Sequence, residues 1–237
     1  ADVLVENFTP GTMDRLGYGW ESLHARWPRL IMASISGFGQ TGPYRTLPAY
    51  DMVVQAMGGV LSLTGDAPGR PTRVGVSIGD IAAGMFGVIG IQAALLERAR
   101  THEGKHVDVA MLDSQVALLE NALVRYQVDG VVPGPIGSRH PSITPFGVFR
   151  AGEGHIVLAA GNERLFARLL EILGLEHLRA DGRFTDNAAR CRHADDLRVE
   201  IELALTAKPA AEWLKTFTAA GVPCGPMNDV AAVMKDP

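Results

Sequence analysis

The sequence predicts a mixed α/β protein in which a parallel sheet comes first and a smaller α+β unit follows. Two short apolar segments, residues 3–5 and 30–36, flank a helical pattern, which is the order of a right-handed βαβ unit. The second segment is apolar at nearly every residue, as expected for a strand that is covered on both faces. Further along, "FGVFRAGEGHIVLAAG" predicts a β-hairpin with the turn AGEG, and amphipathic helices follow it. The fold class is therefore α/β, with a Rossmann-like parallel-sheet domain and a smaller α+β domain.

A segment rich in glycine and proline separates these two parts. Three prolines and three glycines fall between residues 130 and 141, a composition typical of a linker. The sequence predicts a large α/β domain over residues 1–129, a linker over 130–145 and a small α+β domain over 146–237.

The amino-acid composition indicates which kinds of binding partner and binding site to expect. Hydrophobic residues make up 47% and charged residues 20%, and the net charge of −4 comes from interspersed acidic and basic residues. Nucleic acid and anionic membranes are therefore not expected as main partners. The two cysteines are too few for a disulfide framework, and neither they nor the seven histidines show metal-ligand spacing. We expect a reduced, cytoplasmic protein without a metal.

The apolar segment "VGVSIGDIAAGMFGVIGIQAALLE" carries one aspartate, Asp80, where a helix should begin. Taken alone, Asp80 is better explained as a helix cap, worth about 1 kcal/mol, than as a catalytic group. Asp51 and Asp113 fit the same description, and the pattern does not separate the three. Three glycines, at positions 84, 87 and 90, line one face of the same helix. Each costs up to about 1 kcal/mol of helix propensity, which indicates close approach by a backbone or a ligand. The surrounding run, residues 81–96, is apolar but interrupted, and favours a buried helix over a membrane span.

Eight segments in consistent order make the chain similar to the class III CoA-transferases of the CaiB/BaiF type. They are "ADVLVENFTPGTMDRLG", "IMASISGFGQTGP", "AYDMVVQAMGGVLSLTG", "VSIGDIAAGMFG", "RHPSITPFGVF", "GNERLFARL", "DGRFTDNAAR" and "GVPCGPMNDV". The resemblance implies transfer of CoA between carboxylic acids, with acyl-CoA as substrate and no metal. It further implies an interlocked homodimer.

The resemblance also implies roles for particular residues. Asp80 matches the covalent nucleophile, which attacks the thioester to form a mixed anhydride and then an aspartyl thioester. Tyr50 is expected to donate a hydrogen bond to an anhydride oxygen. Asn7 and Phe8 are expected along the CoA and Arg15 at its phosphates. The candidates for binding the acceptor acid are Arg139 and His140.

Two alternatives stay open at this point. The related racemases keep the aspartate but place a histidine thirty residues upstream, where this sequence has Tyr50, so a transferase is favoured over a 2-methylacyl-CoA racemase. The family normally extends beyond both "ADVLVENF" and "KDP", so the resemblance implies a sequence truncated at both ends. A catalytically silent fragment that still holds CoA is the second alternative. The segment "SRHPSITPFGVF" favours the branch of the family that uses succinyl-CoA with small dicarboxylates. Some family members cover the nucleophile with a glycine-rich loop, and this loop is absent between residues 135 and 146.

Overall fold

The computed structural model describes residues 1–66 and 70–237. The chain forms two compact units, Ala1–Gly137 and Ser138–Pro237. Their boundary lies inside the segment predicted as a linker, and residues on either side of it belong to a unit. The N–H group of Gly137, for example, donates to the carbonyl of Gly65 at 2.8 Å within the first unit.

The first unit contains a parallel sheet of three strands: β1 (Val3–Glu6), β2 (Ile31–Ser36) and β3 (His106–Ala110). The order in the sheet is β1-β2-β3, so β2 lies in the centre. All but one of the β2 residues are buried, which explains why its sequence is apolar without alternation. The predicted βαβ order is confirmed, because a helix separates the first two parallel strands.

Seven helices accompany this sheet among the described residues: α1 (Thr12–Arg15), α2 (Trp20–Arg26), α3 (Asp51–Met57), α4 (Val60–Leu63), α5 (Ile78–Thr101), α6 (Met111–Ala117) and α7 (Asn121–Asp129). The 24-residue α5 is the longest of them and packs on β2 and β3. It is also long and apolar enough to cross a membrane, judged by length and composition alone, a property that core helices of compact domains share.

Two of the three regularly spaced glycines of α5, those at positions 84, 87 and 90, face the sheet. A Cβ atom at Gly87 would lie 3.1 Å from Cδ1 of Ile35, and one at Gly90 would lie 2.6 Å from Cγ1 of Val107. At Gly84 the same atom would meet nothing within 4 Å. The close approach predicted from the sequence is therefore made by strand side chains at two positions, and the third glycine faces open space.

The opposite face of α5 is less buried than the sequence suggested. Only small residues of the helix are fully covered, whereas large apolar side chains remain exposed on the other face. These exposed residues are Ile81, Met85, Phe86, Val88, Ile89 and Leu96. The helix is thus a half-buried element with an apolar outer surface, not a fully buried one.

The second unit contains an antiparallel sheet of three strands: β4 (Phe146–Ala151), β5 (Gly154–Ala159) and β6 (Cys224–Pro226), in the order β4-β5-β6. The register pairs Ala151 with Gly154, so the predicted hairpin and its AGEG turn are confirmed. Helices α8 (Glu163–Leu173), α9 (Asn187–Arg192), α10 (Ala194–Leu205), α11 (Ala210–Ala219) and α12 (Val230–Val233) complete the unit, with a short 3₁₀ helix at Glu176–Ala180. Its apolar core joins the sheet to the helices through residues that include Phe149, Ile156, Leu158, Leu169, Leu170, Leu197, Ile201 and Phe217.

Arg190 is a fully buried cation in this second unit, with 1% of its surface exposed. Its Nε donates to the carbonyl of Thr144 at 2.9 Å, and Nη1 donates to the carbonyl of Phe184 at 3.3 Å. The guanidinium also pairs with the Glu163 carboxylate and lies 4.1 Å from the ring centroid of Phe166. A buried charge is tolerated here because every side of the group meets an acceptor or an aromatic face.

Candidate active site

Asp80 lies in the first turn of α5 rather than at its N-cap. The N-cap position is Ser77, whose side chain makes no capping hydrogen bond, and Asp80 is the third residue of the helix proper. The carboxylate of Asp80 is exposed and has no hydrogen-bond partner among the residues that the structure describes.

A different carboxylate caps this helix. Oδ1 of Asp51, from the first turn of α3, accepts a hydrogen bond from the N–H group of Gly79 at 2.8 Å. Oδ2 of Asp51 accepts from the side-chain amide of Gln55 at 2.8 Å. Because a neighbouring element supplies the acceptor, Asp80 is not needed to stabilise the helix terminus.

The side chain of Asp80 borders a cleft of about 370 Å³ at the carboxyl ends of β1 and β2. This edge is where parallel α/β sheets usually bind ligands. The structure brings Asp80 together here with two other predicted site residues, Asn7 and Tyr50, and the tyrosine side chain is 84% exposed. The remaining lining residues are Ile35, Ser36, Gly37, Ala49, Ala83, Gly84 and Met111.

The surroundings raise the pKa of Asp80 above its ordinary value of 3.8. Partial desolvation beside the cleft is the larger cause, and the like charge of Asp51 is the second. A carboxylate at a helix N-terminus is generally stabilised in its charged form. At Asp80 the pKa is raised instead of lowered. The N–H group of Gly79, which could have stabilised the charged form, already donates to Asp51.

The other residues expected along the CoA lie in the same segment as Asn7 but outside the cleft. Phe8 is half exposed, and its N–H group donates to Oε2 of Glu6 at 2.8 Å. Arg15 closes the short helix α1, where its Nη2 donates to Oγ1 of Thr12 at 2.8 Å. A second cleft, of about 410 Å³, runs past this segment and is lined by residues that include Glu6, Thr9, Gly11, Asp14 and Ser34. Residues of β2 therefore line both clefts, Ser36 the first and Ser34 the second.

Arg139 and His140, the candidates for binding the acceptor, belong to the second unit. Nη1 of Arg139 pairs with Oδ1 of Asp195 at 2.9 Å. The ring of His140 stacks on Phe146 at 5.0 Å between centroids, and its Nδ1 accepts from the N–H group of Ser142 at 3.2 Å. Both side chains are thus engaged within their own unit.

Two features of the site were not predicted from the sequence. The first is the capping role of Asp51, which depends on α3 lying against the start of α5. The second is Ser36, whose hydroxyl is buried in the cleft wall without a hydrogen-bond partner among the described residues. Its position at the carboxyl end of β2 is the signal that could have identified it. Over residues 1–66 and 70–237 no group of three or more histidine, cysteine, aspartate or glutamate side chains is arranged to hold a metal ion.

Comparison with known proteins matches the whole chain, residues 1–237, to the model of CoA-transferase family III. The chain is 48% identical over 232 residues to acetyl-CoA:oxalate CoA-transferase of Acetobacter aceti, an alignment that covers 98% of this chain and 60% of that protein. It is 39% identical over 237 residues to succinate–glutarate CoA-transferase of Agrobacterium fabrum, covering 100% of this chain and 59% of that protein.

Among solved structures, a CaiB/BaiF family protein from Brucella suis superimposes with a TM-score of 0.87 and 40% identity, covering 100% of this chain and 63% of that one. The chain therefore spans about three fifths of the length of the relatives it matches. Both the predicted family and the predicted fold class are confirmed: the chain belongs to the class III CoA-transferases.

Proposed function

We propose that the protein transfers coenzyme A between carboxylic acids and that Asp80 is its covalent nucleophile. The main observation behind this proposal is that two neighbouring carboxylates have different structural roles. Asp51 caps α5, which leaves the exposed carboxylate of Asp80 directed to a cleft that Asn7 and Tyr50 also border. The relatives named as CoA-transferases support the reaction class.

The chemistry needs only a carboxylate that is open to a thioester carbon. One oxygen of Asp80 attacks the donor thioester, the C–S bond breaks, and CoA leaves as the thiolate from a mixed anhydride. The thiolate then attacks the aspartyl carbonyl and releases the donor acid, which leaves an aspartyl thioester. The acceptor carboxylate repeats these two steps in reverse order and restores the free carboxylate. No step requires a proton or a metal ion.

The cleft supplies groups that suit these intermediates. The Tyr50 and Ser36 hydroxyls have no hydrogen-bond partner among residues 1–66 and 70–237, and we propose that Tyr50 donates to an anhydride oxygen and that Ser36 offers a second donor. In this proposal Asn7 and Phe8 lie along the CoA, and Arg15, further along the same segment, binds its phosphates.

The substrates we propose are succinyl-CoA as donor and a small dicarboxylate as acceptor. Names of relatives include succinate–glutarate and succinyl-CoA:mesaconate CoA-transferase, while the A. aceti relative is named for acetyl-CoA and oxalate. Arg139 and His140 are the proposed binders of the second carboxylate. A screen of acceptors checks this choice, and a clear preference for monocarboxylates would contradict it.

We further propose a cytoplasmic, interlocked homodimer. The support for association is the apolar outer face of α5, where six large apolar side chains from Ile81 to Leu96 are exposed. Analytical ultracentrifugation of the protein checks the oligomeric state.

Trapping of the acyl-enzyme tests the catalytic proposal. The protein is incubated with succinyl-CoA and then hydroxylamine, and peptides are examined by mass spectrometry. We expect a hydroxamate at Asp80 and none in Asp80→Asn. Asp113→Asn is the matched control, because Asp113 is also exposed in the first turn of a helix that follows a strand of the same sheet. A hydroxamate that forms at Asp113, or that persists in Asp80→Asn, would contradict the proposal.

A further inference from the structure

A buried polar network ties the segment before the nucleophile to α3. Gln55 is fully buried, its amide nitrogen donates to Oδ2 of Asp51 at 2.8 Å, and its carbonyl oxygen accepts from the N–H group of Val74 at 3.0 Å. Both ends of this amide are satisfied, which makes the connection costly to break. The chain entering α5 is therefore held at Val74.

The same network holds the residue next to the nucleophile. The N–H group of Gly79 donates to Oδ1 of Asp51, and Gly79 lies so close to α3 that a Cβ atom there would be 2.7 Å from Cγ2 of Val54. A side chain at this position would push the first turn of α5 away from α3. Asp80 thus follows a backbone position that is clamped by one carboxylate and one methyl group.

Asp51 also acts on Asp80 through its charge. The side chain of Asp51 is only 11% exposed, so water screens it poorly. Nη2 of Arg73 lies 3.6 Å from Oδ2 of Asp51, at the longer end of ion-pair distances, and Arg73 is itself 41% exposed. Among the described residues, the ionisable groups that border Asp80 are Tyr50 in the cleft and Asp51 at the start of α3, with Arg73 as the cation that partly compensates Asp51.

This charge favours one form of Asp80 over another. As a free carboxylate Asp80 is negative, whereas as a mixed anhydride or a CoA thioester it is neutral. Repulsion by Asp51 raises the free energy of the negative form only. The same repulsion that raises the pKa of Asp80 therefore shifts the exchange of Asp80 with acyl-CoA towards the acylated enzyme.

We propose that Asp51 is a positioning residue for the nucleophile: it clamps the first turn of α5 through Gly79, and its charge drives Asp80 towards the neutral, acylated state. This inference rests on the proposed function of Asp80, and it assigns the driving force for acylation to a residue outside the cleft. Two variants separate the charge from the clamp. Asp51→Asn keeps a side-chain oxygen for Gly79 and removes the charge, at the loss of the hydrogen bond from Gln55. Arg73→Gln leaves the clamp intact and removes the compensating cation.

The first measurement does not depend on activity. Carbon-13 NMR follows the titration of the Asp80 carboxyl group, which is assigned by its loss in Asp80→Asn. We expect the midpoint to move to lower pH in Asp51→Asn and to higher pH in Arg73→Gln. A purely structural role for the network would not give opposite directions. An Asp80 midpoint that is unchanged in both variants overturns the inference.

The second measurement links the titration to the chemistry. The ratio of aspartyl thioester to free Asp80 is measured by mass spectrometry at fixed concentrations of acyl-CoA and free acid. Protonation and acylation both remove one negative charge, so we expect this ratio to change about tenfold for each pH unit by which the midpoint moves. Asp51→Asn should lower the ratio, and Arg73→Gln should raise it. A ratio that does not follow the midpoint contradicts the electrostatic part of the inference.

A separate measurement tests the hydrogen bond between Asp51 and the Gly79 amide. Hydrogen exchange at the Gly79 amide should stay slow in Asp51→Asn and become fast in Asp51→Ala, and equal exchange in both variants would contradict the clamp. A wild-type protein that forms no aspartyl thioester would contradict the proposed function itself. An unchanged Asp80 titration in Asp51→Asn contradicts only the role of Asp51, so the two failures are distinguishable.

Discussion

Gly84 and Gly90 belong to the same regularly spaced set of glycines on α5 but have different surroundings, so they should respond oppositely to the same substitution. A Cβ atom at Gly84 would meet nothing within 4 Å, whereas one at Gly90 would lie 2.6 Å from Cγ1 of Val107. Gly84→Ala should stabilise the first unit by about 1 kcal/mol, because alanine loses less backbone entropy in a helix. This gain corresponds to a rise in Tm of about 3–5 °C for a unit of this size.

Gly90→Ala gains the same propensity but must displace a side chain. Val107 is β-branched and held within β3, so it has few rotamers with which to move aside. Overpacking of this kind costs about 2–3 kcal/mol, which leaves a net loss of about 1–2 kcal/mol. The two variants should therefore differ by about 2–3 kcal/mol.

Urea unfolding followed by circular dichroism measures this difference. Hydrogen exchange of peptides from β3 separates the unfolding of the first unit from that of the second. If Gly84→Ala is destabilised as much as Gly90→Ala, something covers Gly84, and the cleft is not open there. Gly84→Ala should also reduce the yield of Asp80 hydroxamate, because its methyl group occupies part of the cleft in which we propose acyl transfer.

Two other predictions concern the buried charge of Arg190 and the raised pKa of Asp80. Arg190→Leu should destabilise the second unit by about 3–4 kcal/mol, because it leaves the carbonyls of Thr144 and Phe184 unpaired. Glu163→Gln should cost less than Arg190→Leu, because the glutamine oxygen can still accept a hydrogen bond from the buried guanidinium although the compensating charge is lost. Urea unfolding followed by Trp213 fluorescence compares the stability of these two variants. Equal losses of unfolding free energy in both would contradict the expected difference. Because the pKa of Asp80 is raised, its contribution to stability is present below pH 3.8 and lost as the pH rises through the raised value. Asp80→Asn should therefore have a higher Tm than the wild type at pH 7 and an equal one at acidic pH; a lower Tm at pH 7 would refute this.

Local pattern was sufficient for much of the fold. The apolar run of β2, the AGEG hairpin and the helix that begins just before Asp80 all depend on neighbouring residues, and all three are present in the structure. The spacing of the glycines also predicted close contacts of α5. A glycine at every third position lowers the helix propensity, and tertiary contacts must offset this cost. The spacing did not reveal that strand side chains occupy two of these positions and that Gly84 is open.

Tertiary contacts decide what the sequence could not. Asp51 and Asp80 both open helices, and only the packing of α3 against α5 makes one the cap and leaves the other exposed. The raised pKa of Asp80 depends on the same packing, so its direction was not predictable from the helix terminus. For the catalytic and binding roles, the sequence supplied candidates through family resemblance, and these roles stay predictions. The structure brings Asp80, Asn7 and Tyr50 to one cleft and places Arg139 in the other unit.

The position of Asp80 within a helix has a consequence for the two-stage exchange that we propose for it. A group mounted on α5, with Gly87 and Gly90 against the strands, cannot shift to meet acids of different size. In the proposed reaction, adjustment to acids of different size falls to residues 37–50, which contribute Gly37, Ala49 and Tyr50 to the cleft. This segment forms neither helix nor strand and is mostly exposed. If the proposed role of Asp80 is correct, changes of substrate preference in this unit should therefore arise in that loop, while the Asp80 carboxylate stays where the packing of α5 on the sheet holds it.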